Sequence, residues 1–105
     1  MNKAKLKGTL GLARRAGRLL VGEDMVLDGL KKDAVLIVFL ASDAGPNTTK
    51  RVTDKTGSHG VALSTVLTGE DLAGATGMKT LKVAGLSDRG FHTLILKALN
   101  ETEQS

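Results

Sequence analysis

Apolar positions along the chain switch between a helical period and a strand period, with glycine-rich punctuation between the segments. Leu6, Leu10, Ala13 and Gly17 recur at helical spacing, so Asn2 to Ala16 reads as an amphipathic helix stopped by Gly17. Gly8 and Gly11 weaken it by about 1 kcal/mol each relative to alanine. Leu19-Leu20-Val21 is a brief strand that ends at Gly22 and delivers the chain to a second helix at Glu23. Glu23 and Asp24 occupy its first turn, where their charge complements the helix dipole. Val26, Leu27 and Leu30 form its buried stripe, while Asp28, Lys31 and Lys32 face outward.

Val35 to Leu40 is a continuous apolar and β-branched run, the mark of a strand covered on both faces. Asp43 to Asn47 is turn chemistry, with Asn47 or Thr48 placed to cap a helix reaching about Lys55. After a turn at Gly57 to Gly60, Val61-Ala62-Leu63 reads as a second buried strand. Thr68 to Asp71 resembles a capping box for a short helix ending near Gly74. Thr80 to Gly85 is a further strand, and Ser87 can cap a last helix whose packed face is Phe91, Leu94, Ile95 and Ala98. Strands alternating with helices imply an α/β fold: one domain, a three-layer α/β/α sandwich with a small mixed or mostly parallel sheet, over residues 1–100. Residues 101–105 read as a frayed polar tail.

Charge sharpens this picture. The net charge is +4, yet six cations (Lys3, Lys5, Lys7, Arg14, Arg15, Arg18) and no carboxylate precede Gly22, whereas nine cations meet eleven acids in the rest of the chain. On the first helix Lys3, Lys7 and Arg14 fall in one narrow sector. Such a local field steers a polyanion, although a solvated helix face balanced by acids elsewhere has the same composition.

Composition removes several classes. Without cysteine there is no disulfide, thiolate metal site or cysteine nucleophile. The longest apolar run, Ala34 to Ala41, falls far short of the roughly 20 residues of a membrane span. No apolar segment follows the charged N-terminus, so no signal peptide is expected, and a cytoplasmic location is. Phe39 and Phe91 are the only aromatic residues besides His59 and His92, too few for a module that stacks single-stranded bases on exposed rings.

Candidate catalytic chemistry is thin. His59 and His92 lack a ligand pattern, which disfavours a metal site. Gly69 and Gly74 have the separation of a phosphate loop, but Ala75-Thr76 follows where Lys-Ser/Thr is required. Asp43, just beyond a strand end, stands where α/β enzymes place a carboxylate, and equally where a turn needs one. A non-enzymatic protein with no cofactor and no metal is expected.

Four stretches carry a resemblance: Gly22-Glu23-Asp24-Met25 with Lys31-Lys32 following, Phe39 to Pro46, Asp71 to Gly77, and Thr80 to Gly85. In this order they resemble the ribosomal protein L-seven-Ae family, and Leu10 to Arg18 looks like its bacterial YlxQ-like branch. The resemblance implies an α/β/α sandwich that binds structured RNA, typically the sharply bent kink-turn with sheared G·A pairs, in ribosomal or other non-coding RNA. Carried over by position, the RNA-binding set is Gly22, Glu23, Asp24, Met25, Asp28 and Lys32, with Met78, Lys79 and Thr80 on a second loop. Arg14, Arg15 and Arg18 would add phosphate contacts from beside that site. Asp24-Met25 stands where the family usually carries Asn-Glu or Lys-Gln, and Asp28 where it carries a lysine. A monomer is expected. The competing reading is a non-enzymatic protein-interaction adaptor that offers the acidic surface of Glu23, Asp24 and Asp28 to a basic partner.

Overall fold

In the computed structural model, which describes residues 1–101, the chain folds as α1 (Lys3–Arg15), β1 (Leu19–Val21), α2 (Glu23–Lys31), β2 (Ile37–Leu40), α3 (Pro46–Ser58), β3 (Ala62–Ser64), α4 (Gly69–Thr76), β4 (Val83–Leu86) and α5 (Arg89–Asn100). The strands form one sheet in the order β1-β4-β2-β3. β4 is antiparallel to both neighbours and β2 is parallel to β3, so β1, β2 and β3 all point one way. The sheet is therefore mixed, and the mostly parallel alternative does not hold.

Helices cover both faces, which makes the three-layer α/β/α sandwich expected from the alternation of elements. Leu6, Leu10 and Ala13 of α1 pack with Leu72 of α4 and Ile95 and Ala98 of α5 over Ile37, Phe39, Ala84 and Leu86. On the other face Val26 and Leu30 of α2 and Val52 of α3 close over Val38, Leu40 and Val83. Alternate residues of β2 thus enter opposite cores, and that is why its sequence is apolar throughout. α2 has only nine residues, too few to persist alone in water. Burial of Val26 and Leu30, worth about 1.5–3 kcal/mol each, holds it on the sheet.

Several boundaries differ from the sequence reading, each for a local reason. Gly45 rather than Asn47 or Thr48 caps α3, because Pro46 at the first helical position presets φ and has no N–H to lose. That helix runs on to Ser58. β3 is a half-open edge strand with Ala62 exposed, since only β2 pairs with it. The Thr68–Asp71 capping box is formed, but α4 continues past Gly74 to Thr76 and ends at Gly77. β4 starts at Val83, three residues later than expected. Asp88, not Ser87, caps α5 by accepting the Phe91 N–H at 2.9 Å. Leu94, expected on the packed face of α5, is 47% exposed. Of the expected polar tail, Glu101 accepts from Lys5 Nζ at 3.0 Å, and residues 102–105 lie outside the described residues.

Candidate nucleic-acid interface

The parallel run of β1, β2 and β3 brings their carboxyl ends to one edge of the sheet, where each turns into a helix: α2, α3 and α4. Crevices outside strand carboxyl ends are the usual ligand position in open α/β sheets. At the start of α4 three N–H groups are met: Thr68 Oγ1 accepts the Asp71 N–H at 3.1 Å, Asp71 Oδ2 accepts the Thr68 N–H at 3.0 Å, and Asp43 Oδ1 accepts the Gly69 N–H at 2.8 Å. α2 is different. Its cap is Gly22, at φ +94° and ψ 154°, with no side chain to meet the first-turn N–H groups. Among the described residues nothing accepts from the N–H groups of Asp24 and Met25 at the positive end of the helix dipole, an arrangement suited to an acceptor on a ligand.

Gly22 is pinned from the opposite direction. Its own N–H donates to the Val83 carbonyl at 2.9 Å, which fixes the start of α2 against the start of β4. The segment Met78-Lys79-Thr80 leads through Leu81 and Lys82 into that same strand start. Lys79 and Thr80 are exposed and Met78 is half-buried. With Gly69, Glu70, Ala73 and Gly74 of α4 these residues border an open cleft of about 370 Å³. Met25, 49% exposed, is the large apolar side chain that α2 leaves in solvent beside its open N–H groups.

The charged residues at this edge are mostly paired. Glu23 accepts from Thr48 Oγ1 at 3.0 Å and from Arg51, by Nε on one oxygen and by Nη2 on the other at 3.2 Å. The Arg51 hydrogen bond holds the Glu23 carboxyl below its ordinary value. Asp43 takes the Gly69 N–H and Lys82 Nζ (3.0 Å), which hold it low. An ionised carboxylate committed to two donors is a poor general base, so Asp43 serves here as a brace between α4 and the Lys82 segment. Lys3 and Lys7, expected to share a basic stripe with Arg14, both reach Asp71, at 2.9 and 3.4 Å. Lys3 chiefly, with the Thr68 N–H, drives that carboxyl far below its ordinary value.

The sequence-derived set is therefore only partly brought together. Gly22, Glu23, Asp24 and Met25 share an edge with Met78, Lys79 and Thr80. Asp28 lies a turn further along α2, paired with Lys32 at 2.9 Å, and Lys32 sits at the far end of the helix, about 15 Å from Gly22 at 1.5 Å per residue. Arg14, Arg15 and Arg18 do not flank Gly22. β1 is extended, and at about 3.3 Å per residue Arg18 and Gly22 stand about 13 Å apart at its two ends. Ser87, just past the end of β4, binds the Arg18 carbonyl by its N–H (3.1 Å) and its hydroxyl (3.0 Å). Sequence reasoning missed Arg51 and Thr48, whose link to Glu23 spans more than twenty positions and leaves no local signal. It also missed the α4 wall of the cleft, for which the small-residue run Ala73 to Gly77 was the available sign.

Residues 4–91 match the model of the ribosomal protein L7Ae/L30e/S12e/Gadd45 family. The chain belongs to this family. Within it, the chain is 36% identical over 90 residues to the RNA-binding protein YlxQ of Enterococcus faecium, covering 86% of each protein. It is 33% identical over 91 residues to the RNA-binding protein YlxQ of Bacillus subtilis (strain 168), covering 87% of this chain and 91% of that one. These relatives bear out the YlxQ-like branch of the L7Ae family. A solved Bacillus halodurans protein of unknown function superposes with a TM-score of 0.86 at 37% identity, over 93% of this chain and 99% of that one. The Giardia lamblia 15.5kD RNA binding protein superposes with a TM-score of 0.79 over 91% of this chain and 82% of that one. At 14% identity the likeness to the Giardia protein is one of fold. No helix among the described residues is long and apolar enough to cross a membrane, and none of their His, Asp and Glu side chains form a group of three able to hold a metal ion.

Proposed function

We propose that the protein binds structured RNA as a non-enzymatic cytoplasmic monomer, reading a sharp bend of the kink-turn type at the edge where Gly22 opens α2, in ribosomal or other non-coding RNA. The observation that carries this reading is the Gly22 N–H···O=C Val83 bond, which sets an uncapped helix start beside the segment that walls the cleft. Open N–H donors suit base or phosphate acceptors in a distorted groove, and the Met78–Thr80 cleft has room for a base turned out of its stack. Family membership and the names of the YlxQ relatives support an RNA partner.

The adaptor reading loses most of its acidic surface. Glu23 is clamped by Arg51 and Asp28 is paired with Lys32, so Asp24 remains the one carboxylate of the three without an ion pair among the described residues.

The test is affinity for a kink-turn RNA against a straight duplex of equal length, measured at two salt concentrations. Tighter binding to the bent RNA, with a preference that survives higher salt, is the expected result. Equal affinity for the two with a steep salt slope would reduce the protein to a phosphate binder, and no binding to either would remove the RNA reading.

A further inference from the structure

Four arginines gather where α1 ends and α5 begins, at the end of the sheet away from Gly22. Arg14 and Arg15 close α1. The turn through Gly17 returns Arg18 beneath the helix, its N–H on the Ala13 carbonyl at 2.8 Å, and the Ser87 bonds to the Arg18 carbonyl bring Arg89 in at the first position of α5. All four side chains belong to exposed residues. Among the described residues Asp88 is the one carboxylate paired with them; it lies 3.9 Å from Arg18 Nε and is occupied in capping the Phe91 N–H. Arg14, Arg15 and Arg89 have no carboxylate partner among the described residues. At the Gly22 edge, by contrast, Lys3, Lys7, Arg51 and Lys82 each reach a carboxylate, with Lys3 and Lys7 sharing Asp71, although exposed Lys79 has no ion pair among the described residues.

Helix dipoles explain half of this cluster. Arg14 and Arg15 lie in the last turn of α1, where cations are favoured, but Arg89 lies in the first turn of α5, where a cation is disfavoured. Its placement, and the excess of positive charge around one carboxylate, call for an anionic partner. Guanidinium forks match phosphate oxygens, and the aromatic residues that follow Arg89, Phe91 and His92, are half-buried. We propose that this arginine corner is a second RNA-binding surface, which grips the backbone of a duplex segment by its phosphates and is separate from the Gly22 edge. With the two surfaces at opposite ends of β1, one protein molecule holds two RNA segments at once. That bridging rests on the function proposed above, whereas the phosphate site itself does not.

The experiment mixes the protein with a kink-turn RNA and a straight RNA duplex carrying different fluorophores, and follows both by two-colour sedimentation at low salt. The expected product is a ternary complex. Substituting R14E, R15E and R18E together should leave a binary complex with the kink-turn RNA alone, with duplex affinity down by at least about tenfold and the slope of log affinity against log salt shallower by about 2–3. The lysine versions R14K, R15K and R18K should keep most of the duplex binding, since charge at phosphate is retained. Duplex binding without kink-turn binding, lost on charge reversal, would leave the corner standing and remove the Gly22 reading. The corner itself is overturned if charge reversal leaves duplex binding unchanged, if the two RNAs displace one another one for one, or if the corner takes an acidic peptide in place of duplex.

Discussion

Arg51 on α3 grips Glu23 on α2 with both prongs of its guanidinium, while the Thr48 hydroxyl adds a third hydrogen bond to the same carboxylate. The two helices whose N-termini flank the candidate interface are thereby locked at their first turns. The pair is solvent-exposed on its Arg51 side, so its net worth to stability is small. Its larger effect is to hold the first turn of α2 in one orientation. Arg51→Ala should therefore lower the melting temperature by only a few degrees, yet reduce affinity for bent RNA by about threefold to tenfold. Calorimetry and a binding titration on the same variant separate the two effects, and a large stability loss with unchanged affinity would show that the clamp is structural only.

Four carboxylates, Glu23, Asp43, Asp71 and Glu101, are held below their ordinary values, chiefly by hydrogen bonds from Arg51, the Gly69 N–H, Lys3 and Lys5 respectively. A folded-state value below the unfolded one means that the stabilisation is fully present above the unfolded value, near pH 4, and is lost as pH falls through the depressed folded values. Stability should be flat with respect to these groups between about pH 5 and 8 and should fall below about pH 4. Thermal unfolding followed across that range checks the sign. Because all four are surface groups, added salt should weaken the dependence.

The glycines of α1, alike in sequence, part company in the fold. A Cβ on Gly8 would meet nothing within 4 Å, whereas one on Gly11 would lie 2.7 Å from the carbonyl oxygen of Ala75, where α1 crosses α4. Gly8→Ala should stabilise the protein by about 0.5–1 kcal/mol, the ordinary helix preference. Gly11→Ala should cost about 1–3 kcal/mol, because the oxygen it strikes belongs to backbone and cannot swing away. Denaturant midpoints of the two variants should move in opposite directions, and equal gains would mean that the crossing is looser than its geometry.

That contrast shows where the sequence is legible. Periodicity located α1 and β2, because Leu6, Leu10 and Ala13, or Ile37 to Leu40, bury what their spacing says they must, whereas α3 and α4 were legible from turn and capping residues. It could not show that β3 lies at an edge, since exposure of Ala62 depends on strand order and not on the residues around it. At the candidate site, the helix start at Gly22 to Met25 was legible because a glycine before an acidic first turn is a local pattern. Arg18 was misplaced because nearness in sequence suggests nearness in space, and a three-residue strand is enough to carry Gly22 to the other end of the sheet. Arg51 was invisible because its partner lies on another helix.

Asp24 is exposed at the first turn of α2 and brings a negative charge to the surface proposed to meet RNA. Ionised, it can accept hydrogen bonds but not donate them, and phosphate repels it. Asp24→Asn removes the charge and adds a donor at the same shape. Affinity for kink-turn RNA should rise by about fivefold to tenfold, or about 1 kcal/mol, with a smaller change for straight duplex. A fall in affinity would mean that the carboxylate accepts from a base, such as a guanine amino group, and is itself a reader.

Gly22 offers the sharpest separation of the two proposed RNA surfaces. At φ +94° and ψ 154° it occupies a backbone region that only glycine enters freely, although a Cβ there would touch nothing within 4 Å. The cost of Gly22→Ala is therefore backbone strain, about 1–3 kcal/mol, and not a clash. The chain can relieve it by rotating the first turn of α2 away from Val83, which would redirect the open N–H groups and Met25. Affinity for bent RNA should drop by at least about tenfold. Binding of straight duplex should hold, since Arg14, Arg15 and Arg18 sit at the far end of β1 and feel no change. If both affinities fell together, the strain would be spreading through β1 and β4 to the whole sheet; if neither fell, the α2 start would not be the reading surface.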